Sequence, residues 1–431
     1  MGPTILFDKS FLQSLSLDEA VIFDHFFIAV VCPMFYVETL ADLEKSARPG
    51  RTPEGEVRII AQKFPEMHGT PCAHHWDLCG PNLMGQAVPM TGQIPILGGK
   101  AVKVDERRSV IFVESPEAEA FRHWQAEEFL EVKRRFAKAW RAGLTAADTL
   151  TIAAGLKAMG VDAQTCKTLE QAKALGDEFV TSNSMPHDRI KLAVMALGLP
   201  LESEPYIAKE WERTGFQPLV NYAPYAAHVL TVELFFHIAL QANLVMPYDR
   251  QDIGYLSYLP FSFLFVSSDG LHRQSAPPFL RSDQNFVWGP ELKADLAQIV
   301  ERYKGLSEEE REKGMMKFAR VPPEGSLVAK LLNDFGEMMK RKEQERLRRL
   351  FDEPPAENPT RNLKPFPKAE PELVKYLNRF KDAPELSPEE IDFDRANPDI
   401  LSVQRSVLKQ RGSFWQLPKN LKERPKEGEN C

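Results

Sequence analysis

The sequence predicts an α/β fold: a central parallel sheet, interrupted by a mainly helical insertion and followed by a helical C-terminal extension. Three observations lead there. The runs Thr4-Ile-Leu-Phe7 and Ile28-Ala-Val-Val31 are apolar without alternation, as strands buried on both faces are. A helical pattern follows each run, so strand and helix alternate as far as Lys45. The same alternation resumes at Tyr222, after a long stretch of different character.

Thr4–Phe7 is the first strand and runs into Asp8, Lys9 and Ser10, then a helical turn bearing Phe11 and Leu12. A second helix is expected over Leu17–Phe23. Ile28–Val31 is closed by Cys32-Pro33, and Pro33 suits the first position of the next helix because that position needs no amide donor. That helix, Met34 to about Lys45, turns Tyr36, Val37, Leu40 and Leu43 to one side and carries Glu38 near its start. Ala47-Arg-Pro-Gly-Arg-Thr-Pro-Glu-Gly55 breaks the pattern. Residues 56–113 read as rich in strands and loops, with Val110–Val113 the clearest strand. Ser115-Pro116 then opens a long charged helix, Ser115 as its cap. Helical spacing continues through Ala146–Met159, Leu169–Val180, Asp188–Leu197 and Pro205–Arg213, so 50–217 is expected to be the insertion.

Ala226–Val245 reads as a hydrophobic helix. After it, Asp249 begins an amphipathic turn and helix with Ile253, Leu256 and Leu259 on one side, which Pro260 is expected to end. Phe263–Val266 is a buried strand delivering Ser267, Ser268 and Asp269 to its carboxyl end. Gln284–Gly289 reads as an edge strand, and Pro290–Tyr303 as an amphipathic helix. The expected organisation is a discontinuous domain of residues 1–49 and 218–303, a helical extension over 304–351, and a proline-rich linker and tail over 352–431. The tail holds one apolar island, Ser413-Phe-Trp-Gln-Leu-Pro418, which is expected to dock on the body.

Composition excludes several classes. With 431 residues the chain is too long for one ordinary core. A hydrophobic share of 43% and a charged share of 27% are those of a soluble globular protein. The apolar run near Leu234–Met246 contains His237, Gln241 and Asn243 and is too short for a bilayer, and no secretory leader is read at Met1-Gly-Pro-Thr4. No membrane partner is expected. Five irregularly spaced cysteines point to a reducing compartment, so a cytoplasmic location is expected. A net charge of −7 argues against coating nucleic acid by bulk electrostatics, not against a local groove.

Four acids obey one placement rule: Asp8, Glu38, Asp252 and Asp269 lie at strand ends or helix starts, on what would be the carboxyl edge of the sheet. Capping and helix dipoles favour carboxylates there without any function. Four converging carboxylates, however, repel and raise one another's pKa. Such a cluster makes sense chiefly around a hard divalent cation, Mg²⁺ or Mn²⁺, which prefer oxygen ligands.

These residues resemble the PIN-domain nucleases. Asp8-Lys-Ser10 after the first strand is similar to that family's opening acid. Tyr36-Val-Glu38 is similar to its second acid, and Asp252 followed by Val266-Ser-Ser-Asp269 to its third and fourth. The resemblance covers about 1–46 and 222–303, and the length of 50–217 departs from it. It implies a PIN-like three-layer domain and metal-dependent hydrolysis of phosphodiester bonds, with nucleic acid, RNA in particular, as substrate. Asp8, Glu38, Asp252 and Asp269 would then be both catalytic and metal-binding. Ser10 and Ser267 would orient ligands or a phosphate, Lys9 or Arg273 would meet the backbone, and Asp249 would stand just outside. The alternative is a PIN-like fold kept as a silent binding scaffold. A homo-oligomer or a protein partner is expected through the insertion or tail.

Three further stretches compete for attention. His68, Cys72, His74, His75 and Cys79 are the densest soft ligands, but their spacing matches no zinc pattern, and a loop with partly buried cysteines is the plainer reading. Lys133-Arg-Arg-Phe-Ala-Lys-Ala-Trp-Arg141 interleaves basic and aromatic residues, as a nucleic-acid contact or a solvated helix face does. Asp8-Lys-Ser10 also resembles an aspartyl phosphotransferase strand, whose second acid would fall where Ser10 stands.

Overall fold

The computed structural model describes residues 2–41, 53–95, 100–103, 109–112, 149–182, 184–318, 321–352 and 410–415. The chain divides into two compact units, residues 1–332 with 402–431, and residues 333–401. The first unit is α/β and is built on a five-stranded parallel sheet. Its strands are β1 (Thr4–Phe7), β2 (Ile28–Val31), β3 (Gly69–Pro71), β6 (Leu264–Ser267) and β7 (Asn285–Trp288). They lie in the order β3-β2-β1-β6-β7, so the chain winds outward from β1 in one direction and later in the other. Two more strands, β4 (Lys100–Lys103) and β5 (Ser109–Phe112), pair antiparallel and stand apart from this sheet. The unbroken apolar pattern of β1 is thereby explained. Successive residues of a strand face opposite sides, yet Ile5, Leu6 and Phe7 are all fully buried, so both faces of the sheet are covered.

Helices α1 (Lys9–Ser14) and α2 (Leu17–Phe26) follow β1. Ser16 and Glu19 close α2's first turn as a reciprocal capping box. Helix α3 (Pro33–Ala41) follows β2 and begins at the proline the sequence marked. Between β2 and β6 come α4 (Pro53–Lys63), α5 (His75–Leu83), α6 (Thr149–Ala158), α7 (Leu169–Thr181), α8 (Pro186–Ala196), α9 (Glu204–Glu212) and α10 (Pro224–Gln241). Helix α7 lies close along α10: a Cβ at Gly176 would stand 3.3 Å from the Thr231 carbonyl oxygen. After α10 come α11 (Arg250–Gly254), α12 (Gly270–Ser275) and α13 (Gly289–Lys304), and α13 packs on α2.

Several expectations differ from this arrangement. The segment set apart as an insertion, 50–217, supplies β3, which pairs with β2 as an edge of the sheet. Gly-Thr-Pro has little strand propensity, and Pro71 is tolerated because an edge strand need not donate on its outer side. The strand-and-loop reading of 56–113 holds for β3, β4 and β5, the last on the strand expected at Val110, but the stretch also contains most of helix α4 and all of α5. In α5 the breakers Gly80 and Pro81 mask a run that burial of Leu78, Cys79 and Leu83 holds helical. Pro260 does not end a helix that began at Asp249. The α-helical part stops at Gly254, and a 3₁₀ stretch, Tyr255–Phe261, carries the chain through the proline. The Ser115-Pro116 cap and the basic run 133–141 lie outside the described residues, as do the prolines of the linker.

The tail's apolar island does return to the first unit. Phe414 is fully buried, its ring 4.6 Å from that of Tyr303. Arg411 goes deeper: its guanidinium donates to Asp24 at 3.0 Å and to the carbonyls of Gln62 and Phe64 at 3.1 and 2.7 Å. Asp24 also accepts from the amides of Glu66, Met67 and His68, which positions the chain entering β3. In the second unit the described residues, 333–352, belong to α14 (Leu327–Asp352), whose exposed face carries Glu–Lys and Glu–Arg pairs at helical spacing. Arg411→Ala leaves Asp24 buried and short of its cation, so a loss of about 3–5 kcal/mol is expected in urea unfolding. Lys340→Ala, at an exposed pair, should leave the urea unfolding midpoint unchanged.

Candidate active site

The order of strands reverses beside β1: β2 and β3 lie on one side, β6 and β7 on the other. In open α/β sheets the two crossovers diverge at such a point and leave a crevice outside the strand ends. Asp8 is the residue after β1, and Asp269 stands two residues after β6, the strand paired with β1. Both are helix caps. Asp8 accepts from the Phe11 amide at 2.9 Å, and Asp269 from the Leu271 amide at 2.6 Å. The bland reading of each acid is therefore true, and it leaves part of each carboxylate over.

Ser267 ties the two together. Its hydroxyl lies 2.7 Å from Asp8 Oδ2, 2.9 Å from the Asp269 amide nitrogen, and 2.8 Å from His272 Nδ1. The proton count is constrained. His272 Nε2 faces the Asp252 backbone carbonyl at 2.7 Å, which only accepts, so Nε2 carries a hydrogen. Ser267 has one proton and gives it to the Asp8 carboxylate. Its two lone pairs then receive the Asp269 amide and His272 Nδ1, so both imidazole nitrogens are protonated. Electrostatics agree. Burial alone would strip His272 of its charge, but its contact with Asp8 at 3.5 Å, then the carbonyl and charge of Asp252, push it up to about 9. Burial likewise works to raise Asp8. The His272 contact and charge, with Ser10 and the Phe11 amide, outweigh it and hold Asp8 below the usual carboxylate value. Ser10 donates to Asp8 Oδ2 at 2.5 Å.

Glu38, on α3, faces the same region. Tyr255 donates to it at 2.7 Å, and the buried Lys9 ammonium is 3.7 Å away. Burial pushes Glu38 up to about 7 against the pull of Lys9 and Tyr255, aided by the charges of Asp252 and Asp8. Asp252, on α11, is the acid whose carboxylate makes no hydrogen bond among the described residues. Burial pushes it up to about 6, with Asp269, Asp8 and Asp249 adding and His272 opposing. Helix α11 is held by Arg250, which donates to Glu233 of α10 at 2.6 Å and sits over the Phe236 ring. Asp249 is taken up as a cap, accepting from the Met246 amide at 2.8 Å. Arg273 is exposed and lies over the Trp288 ring. Gly289 lets the start of α13 approach the end of β6: a Cβ there would stand 2.2 Å from Ser268 Oγ and 3.0 Å from the Ser267 carbonyl oxygen.

The nine residues singled out in the sequence thus have definite places. Asp8, Ser10, Ser267 and Asp269 form one hydrogen-bonded group, Lys9 and Glu38 a pair beside it, and Asp252 the uncommitted acid. Asp249 and Arg273 lie at the margin. Sequence reasoning passed over His272 and Tyr255. The signal for His272 was its place three residues after Asp269 on a short helix, one turn from an acid.

No three His, Cys, Asp or Glu side chains among the described residues already stand in a group able to hold a metal. For the acids, the donors are all oxygens, the kind Mg²⁺ and Mn²⁺ prefer. Asp252 offers both oxygens and Asp269 one, while Asp8 and Glu38 are partly engaged by donors of the protein. In kind the residues fit a hard cation. The soft ligands are engaged elsewhere: His68 on Asp24, His75 on Tyr258, with Cys72 and Cys79 buried. Burial pushes His75 down to about 3 and the Cys79 thiol well up, which keeps both neutral.

Comparison with profiles of known protein families, with curated proteins and with solved structures returned no match. No described helix is long and apolar enough to cross a membrane.

The raised Asp252 carboxyl has a consequence for stability. The folded protein holds its proton to about pH 6, whereas an unfolded aspartate releases it near 3.8, so stability falls as pH rises between those values. Asp252→Asn removes that loss. Thermal melts should show it more stable than the parent by about 1–2 kcal/mol at pH 8, allowing for solvent screening, and equal to it near pH 4.

Proposed function

We propose that this protein is a metal-dependent nuclease, PIN-like in its domain, that hydrolyses phosphodiester bonds of RNA. The observation carrying the reading is that Asp8 and Asp269 end on the same edge of the sheet, where its winding reverses between β1 and β6, and are tied to each other through Ser267. Winding order supports the same domain type, since strands of the first and last segments meet at β1 and β6. RNA as substrate rests on the resemblance alone.

Asp252 and Asp269, with the free positions on Asp8 and Glu38, would hold Mg²⁺ or Mn²⁺. Such an ion, when bound there, would supply polarisation of the scissile phosphate and a lowered pKa for an attacking water. The chain's own part is to place it. Ser267 fixes Asp8 and the Asp269 backbone relative to each other, and His272 fixes Asp252 through its carbonyl. Lys9, buried beside Glu38, sets the local charge and keeps that carboxylate from swinging away.

A silent scaffold is the second reading, and one observation favours it. His272 and Lys9 already give Asp8 and Glu38 cationic neighbours, so part of the cluster coexists without a metal. Titration calorimetry with Mn²⁺ and cleavage of single-stranded RNA separate the two. The nuclease reading expects Mn²⁺ binding and a cleavage loss of about a hundredfold or more in Asp252→Asn and in Asp269→Asn, with melting transitions intact. Full cleavage in both variants, or no cleavage by the parent with Mn²⁺ bound, removes it.

A further inference from the structure

Arg273 differs from the other buried or site-lining cations. Lys9 faces Glu38, His272 faces Asp8, Arg250 faces Glu233 and Arg411 faces Asp24. Among the described residues the Arg273 side chain has no carboxylate and no hydrogen-bond acceptor. Its guanidinium carbon instead stands 4.8 Å over the Trp288 ring. Trp288 is the register partner of Ser267, at the carboxyl end of β7, and Arg273 is one helical turn from Asp269, whose carbonyl accepts its amide at 3.2 Å. An exposed cation with all five donors uncommitted is thus seated on an aromatic face beside the acid crevice.

From this geometry we infer that Arg273, seated on Trp288, anchors a backbone phosphate of single-stranded nucleic acid beside the acids. The inference deepens the nuclease reading and rests on it for the choice of ligand. The chemistry is specific to arginine. A planar guanidinium stacks on the indole while its edge donates twice to a phosphate, and the stack removes much of the side-chain freedom that binding would otherwise cost. The strand state follows from the depth of the site. Asp8 is only 3% exposed, at the end of a central strand. A duplex keeps its phosphates on a stiff convex surface, whereas a single strand can bend its backbone inward and lay a base against neighbouring π faces. Since the acids repel a polyanion before any cation is bound, an accessible positive group at the rim is what initial capture requires.

The test is anisotropy of a short fluorescein-labelled oligouridylate, with and without its complementary strand, in EDTA over a series of salt concentrations. Binding by the parent should favour the single strand. Arg273→Gln should weaken it about tenfold and lower the slope of log affinity against log salt by about 0.7, the release expected for one phosphate contact. Arg273→Lys should keep most of the slope while losing affinity, because charge survives and the stacked fork does not. An unchanged affinity and slope in Arg273→Gln, preference for the duplex, or no binding by the parent overturns the anchor. Parallel cleavage with Mn²⁺ keeps the two ideas separable. Arg273-dependent binding without cleavage leaves the anchor and removes the nuclease, and cleavage indifferent to Arg273 does the reverse.

Discussion

A carboxylate buried at the end of a central strand governs this structure. Asp8 is placed there by β1, and it is almost wholly withdrawn from water. Such a charge is tolerated only when enough donors reach it. The Phe11 amide and Ser10 are local and come with the helix that Asp8 caps. Ser267 and His272 are not local. They arrive only when β6 has paired with β1, after more than half the chain has intervened. Satisfaction of one side chain is therefore conditional on the sheet's longest crossover being made, and fold and site become one problem.

This dependence explains what could be read from residues alone. Local rules found β1, β2, β7 and α13 nearly to the residue, and the starts of α2 and α3 but not the end of α2, because buried parallel strands leave unbroken apolar runs and α3 opens on a proline. The same rules expected Asp8, Glu38, Asp252 and Asp269 at strand ends or helix starts; Asp8 and Asp269 cap helices and Asp252 lies in the first turn of α11, whereas Glu38 falls midway along α3. They failed where tertiary packing overrides propensity. β3 is three residues of weak strand formers, visible only because Asp24 gathers the amides before it and β2 offers an edge. Helix α5 survives an internal Gly-Pro because its apolar side is buried. His272 was invisible for a different reason. Its role depends on a serine five residues earlier and a carbonyl twenty residues earlier, and no spacing rule connects those three.

The insertion illustrates the same point at larger scale. Residues 50–217 looked separate because their pattern changes, yet their first part completes the sheet, and α7 lies against α10, the helix that precedes the acids of α11. Through Arg250 and Glu233, α10 in turn fixes α11, the bearer of Asp252. A change in packing between α7 and α10 would therefore be felt at an acid far away in sequence, by displacement of a helix rather than by any charge.

Charge balance is the last step. The cluster gathers acids of unequal state: Asp8 held below the usual carboxylate value by His272, Asp252 and Glu38 pushed toward protonation by burial and by neighbouring carboxylates. Two environments within one crevice mean two different demands for positive charge. The inner demand is met by the protein itself, through His272 and Lys9. The outer one, at Asp252, is met only in part by His272, and a bound divalent cation would oppose both the burial and the repulsion that raise its pKa. A cluster serving only to hold the fold would gain by replacing Asp252 with an amide or an apolar group, since among the described residues that carboxylate accepts no hydrogen bond and it weakens the folded state above pH 6. Sites that keep such a cost are the ones where function has a use for it. On that argument Asp252, rather than the well-bonded Asp8, is the residue that most distinguishes a working site from a structural one.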